Sequence, residues 1–307
     1  MTDRRIARRW IAGRWSVGCL VALGVLVAGG PAANASFPDQ PARIRFMRID
    51  TDHELFVMRT DGTAIRRVTK NSVNDADARV SPDGSRIVFW RQPAGELDGE
   101  IYTMWSDRTH LRRLTDNDDE DQMPNWSPDG THIVFRSDRA GFQIDLFRMN
   151  DDGTGVSRIT FTNNRERWPS WSPDGAWIAF TVEQLGADTE VARIRPNGSG
   201  FQLLTNNTGI DDFTADWAPD GSTLAVWSDV DGDFEIYTLP AAGGSLHQVT
   251  HNHVDDENAF WLPSGKRIVF NRGDGDDLEI HSIRLDGTDA KRLTTNQRPD
   301  YLVRLVS

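Results

Sequence analysis

The chain has 307 residues, with 46 acidic against 34 basic side chains and a net charge of −12 at pH 7. That excess argues against nucleic acid and anionic membrane surfaces as partners, since both attract basic faces. Cys19 is the single cysteine, so the rest of the chain can have no disulfide, thiol nucleophile or thiolate metal site.

The first 35 residues read as an export signal. Arg4, Arg5, Arg8, Arg9 and Arg14 precede an apolar run at 17–28, which ends toward Ala33-Asn34-Ala35. A charged start, an apolar middle and a small-x-small site predict cleavage after Ala35. The run is short for a membrane span, so no stable span is expected after cleavage. Arg8-Arg9 would also suit a twin-arginine route. Cys19 precedes most of the apolar run, the wrong side for a lipid anchor. Residues 36–307, with a net charge near −16, are expected to form one exported domain, periplasmic, envelope-bound or secreted, and monomeric. That length can bury a core without cross-links.

From there a phrase recurs. It reads Val80-Ser-Pro-Asp-Gly84, Trp126-Ser-Pro-Asp-Gly130, Trp171-Ser-Pro-Asp-Gly175, Trp217-Ala-Pro-Asp-Gly221 and Trp261-Leu-Pro-Ser-Gly265, with its prolines 46, 45, 46 and 44 residues apart. So regular a period marks a repeat architecture. In the clearest copy, 123–126 reads as a strand. Pro128 presets the first corner of a tight turn and Gly130 accepts the positive φ that closes it. Residues 133–136 alternate as a second strand, 144–149 form a third, Asp152-Gly153 a hairpin turn and 156–160 a fourth. A four-stranded sheet with two apolar faces must stack on copies of itself, and radial stacking gives a β-propeller with each Trp wedged between blades.

The fourth strand ends in an apolar residue and threonine six times, at Thr69, Thr115, Thr160, Thr205, Thr250 and Thr294, against five copies of the proline turn. The chain therefore enters its first repeat at the second strand, 44–48, followed by a third at 54–58. The missing first strand is expected from 301–306. The predicted fold is all-β, a six-bladed propeller closed by its C-terminal strand, which leaves no exposed sheet edge there.

The repeat Asp-x-x-Pro-x-Trp-Ser-Pro-Asp-Gly, Ile-x-Phe-x-Ser-Asp-Arg, Ile-Tyr-x-Met and Arg-Leu-Thr, best spelled over 121–160, resembles the TolB-type propeller repeat. Ile101-Tyr102-Thr103-Met104 and Ile236-Tyr237 are further matches. Proteins with similar repeats include the TolB component of the Tol–Pal envelope system, which binds other envelope proteins, propeller domains attached to serine peptidases, and a pectin-fragment lyase. The resemblance implies the fold, and a binding or catalytic face.

Chemistry is harder to find. There is no Gly-x-Ser-x-Gly elbow, His-Glu-x-x-His or phosphate-binding glycine loop. His251 and His253, with Asp255, Asp256 and Glu257 after them, offer metal-ligating types on one loop. Asp229, Asp231 and Asp233 resemble the start of a calcium loop, but the position for its distal glutamate is Pro240. Neither is a complete ligand set, and no cofactor is expected, a calcium on the second loop aside. Arg272-Gly273-Asp274 reads as a coincidental tripeptide.

The carboxylates gather on the loop face. Asp75, Asp121, Glu166, Asp212, Asp256 and Asp300 stand five residues before each wedge position, and Glu54, Glu100, Asp145, Glu190, Glu235 and Glu279 at the entry to each third strand. Acids present in every blade are expected to hold blade to blade. Asp118, Asp119 and Glu120 on one loop and Asp274, Asp276 and Asp277 on another do not recur, so the fold does not demand them. They are the candidate partner-binding residues. The reading is a non-enzymatic module that binds a cationic protein partner through this face; its rival is a lyase or hydrolase acting on carbohydrate or peptide there.

Overall fold

The computed structural model describes residues 43–49, 53–141, 143–273, 277–295 and 299–306. The export signal read in 1–35, with Arg8, Arg9 and Cys19, lies outside the described residues, as do Asp274 and Asp276. The strands form six sheets of four antiparallel strands. Blade 1 is built from both ends of the chain, in the order Asp300–Val306, Arg43–Ile49, His53–Arg59, Arg66–Arg67. Arg43 stands opposite Val306 and Arg48 opposite Asp300. Blades 2 to 6 follow in sequence, their first strands beginning at Asp75, Asp121, Arg165, Asp212 and Asp256. Successive first strands touch one another around a closed ring and so surround the axis.

Each second strand buries one apolar side chain at the same position. Phe46, Phe89, Phe135, Phe180, Val226 and Phe270 occupy equivalent positions, and all are fully buried. The tryptophans wedge as the repeat implies. Trp126 packs with Ala78, Ile87 and Phe89 of the preceding blade, and its indole Nε1 donates to the Arg79 carbonyl at 3.3 Å. Trp217 Nε1 reaches the Ser170 carbonyl at 2.9 Å.

Both turn types need their glycines. Gly130 has φ 70° and donates to the Ser127 carbonyl at 2.9 Å, while Asp129 caps the same turn through Ser127 Oγ and Thr131 N. Gly153, at φ 84°, lies so close to the neighbouring blade that a Cβ there would stand 2.8 Å from the Leu114 carbonyl oxygen.

Two elements of blade 3 differ from the sequence expectation. Its first strand runs Asp121–Trp126 rather than from 123. The alternation fails in its middle because Met123 takes φ 54° and the register slips between Gln122 and Asn125, a bulge that also accommodates Pro124. The fourth strand is only Ser157–Arg158. Thr160 leaves the ladder because its hydroxyl takes the backbone N–H of Leu146, at 2.8 Å.

Candidate binding face

The twelve repeated acids are all withdrawn from solvent, none more than 2% exposed. They meet in pairs, the third-strand acid of one blade beside the first-strand acid of the next. At the first pair, Glu54 accepts from Thr69 Oγ1 (2.7 Å), the backbone N–H of Asn71 (3.0 Å) and Arg67. The Asn71 side chain turns the other way and donates to Asp75 at 2.6 Å. Asn117, Asn207 and Asn252 repeat this bridge between Glu100 and Asp121, Glu190 and Asp212, and Glu235 and Asp256. The recurrent threonine thus links the third-strand backbone to a carboxylate.

Arginines neutralise these pairs unevenly. Arg91 grips Asp75 with Nε and Nη2 at 2.6 and 2.9 Å; Arg48 does the same to Asp300 and Arg272 to Asp256. Each guanidinium also lies over the buried second-strand phenylalanine, as Arg91 does over Phe89 at 5.3 Å. Arg113 and Arg139 serve Glu100 and Asp121, Arg158 serves Asp145 and Arg292 serves Glu279. Among the described residues no arginine pairs with Glu166, Glu235, Glu190 or Asp212. The Glu190–Asp212 pair is therefore without a cation, and only neutral groups, Ser228, Asn207 and Thr205, favour the charge of Asp212.

Burial dominates the electrostatics. It pushes Glu166 up to about 7 against the Thr162 and Thr160 hydroxyls that favour its charge, with Asp145 adding repulsion. It pushes Glu235 to about 7 against hydrogen bonds from Thr250 and Asn252, with Asp256 adding repulsion. Asp75, Glu100, Asp145, Glu190 and Asp212 are also raised, burial being the leading cause in each.

The unrepeated acids are different. Asp118 and Asp277 are exposed and Asp119 partly so. Glu120 is engaged: its carboxylate accepts from Gln122 Nε2 at 2.6 Å and Arg136 Nη2 at 3.0 Å. On the calcium-like loop, Asp229 accepts the Asp211 N–H and Asp231 accepts from Gln248 at 2.6 Å. His251 and His253 are exposed. Neither of these metal candidates gathers three ligand atoms. Among the described residues that occurs at Glu96, Asp98 and Glu100, whose atoms lie within 4.8 Å of one another. Arg113 already supplies a cation there, donating to both glutamates. Sequence reading found Glu100 as one of the repeated acids but missed the group, because Glu96 and Asp98 fall on an irregular loop in one blade only. It also missed two arginines on the same face, Arg136 and Arg167, visible only once strand register is known.

A family model described as TolB beta propeller domain matches residues 92–214. Solved structures sharing the fold include a putative TolB from Agrobacterium tumefaciens (18% identity, TM-score 0.68, 86% of this chain and 92% of that one). TolB from Acinetobacter baumannii superposes at TM-score 0.72 with 18% identity, over 85% of this chain and 65% of that one. An oligogalacturonate lyase from Vibrio parahaemolyticus does so at 0.59 with 15% identity, over 81% and 73%. At such identities the likeness is one of fold. No curated protein matches the chain in sequence.

Proposed function

We propose that this chain, a TolB-like six-bladed β-propeller, is an exported, non-enzymatic interaction module that binds an envelope or extracellular protein through its loop face. The observation that carries this reading is the division among the acids. The repeated ones are buried and mostly paired with arginine, whereas Asp118 and Asp277 stand exposed on loops that the repeat does not require. Exposed carboxylates on a strongly acidic protein steer a cationic partner to the face. Such steering weakens as the screening length shortens to about 8 Å at physiological salt.

The test starts from a pull-down out of the native envelope. The captured partner is then titrated against wild type and an Asp118→Asn, Asp119→Asn double variant at low and physiological salt. Glu120 is left intact because it holds Gln122 and Arg136. The variant should associate more slowly at low salt and fold normally, since exposed charges contribute only about 0–1 kcal/mol each. Association indifferent to both salt and the double change overturns the reading. The enzymatic rival draws on the fold shared with the lyase. Stoichiometric metal in the purified protein, lost in His253→Ala, would favour that rival.

A further inference from the structure

Arg136 and Arg167 set a patch of opposite sign into the acidic face. Arg136 is the penultimate residue of the second strand of blade 3, His132–Ser137. Arg167 is the third residue of the first strand of blade 4, Arg165–Trp171. The two strands pack together, and the charge of Arg136 acts directly on Arg167.

The fold does not ask for arginine at either place. In the other blades, register puts Met47, Trp90, Thr181, Trp227 and Asn271 where blade 3 has Arg136. Ala76, Gln122, Phe213, Glu257 and Tyr301 stand where blade 4 has Arg167. Several of these are plain core residues. Replacing an indole by a guanidinium, and setting a second guanidinium beside it, costs desolvation and repulsion. Burial first, and Arg136 second, draw Arg167 down to about 10.

The carboxylates present do not use these arginines fully. Arg136 is 3% exposed, yet its Nε is buried without a hydrogen-bond partner among the described residues. Its Nη2 is held by Glu120 and Gln122. Arg167 Nε is likewise without a hydrogen bond, with Glu183 Oε2 3.4 Å away. Glu183 is divided, since Arg165 lies 3.7 Å from its other oxygen. Both carboxylates are at the rim, their side chains 33% and 41% exposed.

Elsewhere this protein shows what the Nε edge of an arginine takes. At Arg48, Arg91 and Arg272 the Nε and Nη2 hydrogens together grip one carboxylate, the fork geometry that makes arginine a carboxylate receptor. We propose that Arg136 and Arg167 form a binding site for the carboxylate group of a small acidic ligand, which enters from the loop face and displaces Glu183 from Arg167. The site is separate from the exposed acids and selects the opposite charge, so it stands or falls independently of the protein-binding reading.

The experiment is calorimetric titration of the whole protein with succinate at constant ionic strength, with inorganic phosphate and chloride as parallel arms. Wild type should bind succinate once per chain, in preference to phosphate and chloride. Arg167→Gln should lose at least about tenfold in affinity, the equivalent of one charge-assisted hydrogen bond. Its ligand-free melting temperature should equal or exceed that of wild type, because a buried like charge is gone. Glu183→Gln should bind more tightly, its competing carboxylate having been removed. Three outcomes overturn the proposal: no saturable succinate binding by wild type, equal binding of phosphate, or an Arg167→Gln variant that keeps its affinity and melts lower. The last would make Arg167 a structural residue.

Discussion

At the scale of single residues, the buried acid pairs are one design with graded neutralisation, and the grading predicts which acids stability depends on. Asp256 receives two hydrogen bonds from Arg272 at 2.7 and 2.6 Å. Asp256→Asn leaves that guanidinium half-buried opposite a neutral amide, and breaking such a pair costs about 3–5 kcal/mol. Asp212 is as deeply buried but has no arginine, only neutral hydrogen-bond partners. Asp212→Asn keeps an acceptor for Asn207 and removes a charge that no cation offsets, so its cost should stay within about 1 kcal/mol. Denaturant unfolding of both variants at pH 7 separates the cases; equal losses would show that position in the repeat, rather than the cation, sets the role.

The same grading fixes a pH dependence. Glu166 and Glu235 are raised to about 7 in the folded protein, so across the interval from their ordinary range up to 7 the folded state holds protons that the unfolded chain releases. Their contribution to stability is complete below that interval and is lost as pH rises through 7. The turn acids act in the opposite sense. Asp129, lowered to about 2 by Ser127 and Thr131, contributes above its ordinary range and loses that contribution as pH falls toward 2. The melting temperature should therefore peak in mildly acidic buffer and decline between pH 5 and 7.5. Glu166→Gln keeps both threonine contacts without the charge and should flatten part of that decline. A wild-type melting temperature that rises over this interval contradicts the assignment.

At the scale of elements, turns were the most legible part of the chain and first strands the least. Ser-Pro-Asp-Gly and Asp-Gly are local devices whose backbone demands show in the residues themselves. The first strands hide because each bends at a bulge. Asp77, Met123, Trp168 and Asn258 all take positive φ near 50°, which breaks the apolar–polar alternation of a regular strand. The candidate face was half legible for a related reason. Periodicity found all twelve repeated acids, but their partners come from other strands and from loops, as Arg91 reaches Asp75 over 16 residues and Asn71 over four. Arg136 and Arg167 belong to no motif and become a pair only when blades 3 and 4 are packed. The turns also predict a stabilising change. Arg108 occupies, at φ 73°, the place that Gly62 and Gly153 hold in sister blades. A non-glycine residue in left-handed geometry costs about 1–2 kcal/mol, and part of that should return in Arg108→Gly as a higher melting temperature. Gly153→Ala, driven toward the Leu114 carbonyl, should lower it.

At the scale of the molecule, the decisive contacts are those that close the ring. Arg48 grips Asp300 across 252 residues of chain, and Asn271 Nδ2 holds the Asp300 carbonyl at 2.6 Å. A Cβ on Gly62 would stand 2.5 Å from the Leu293 carbonyl oxygen, so blade 1 seats on blade 6 as tightly as any two blades between them. The strand Asp300–Val306 completes blade 1 and covers the free edge of Arg43–Ile49. Deleting residues 301–307 removes nearly all of that strand. It uncovers a row of backbone donors and acceptors that would template association, and it strips blade 1 of its inner face while sparing every residue of the other five. Because each blade is stabilised by its neighbours, the loss should spread in both directions from blade 1. The truncated protein should melt well below the full chain and aggregate on heating. If it melts like the full chain and stays monomeric, closure is a consequence of the fold rather than a cause of its stability.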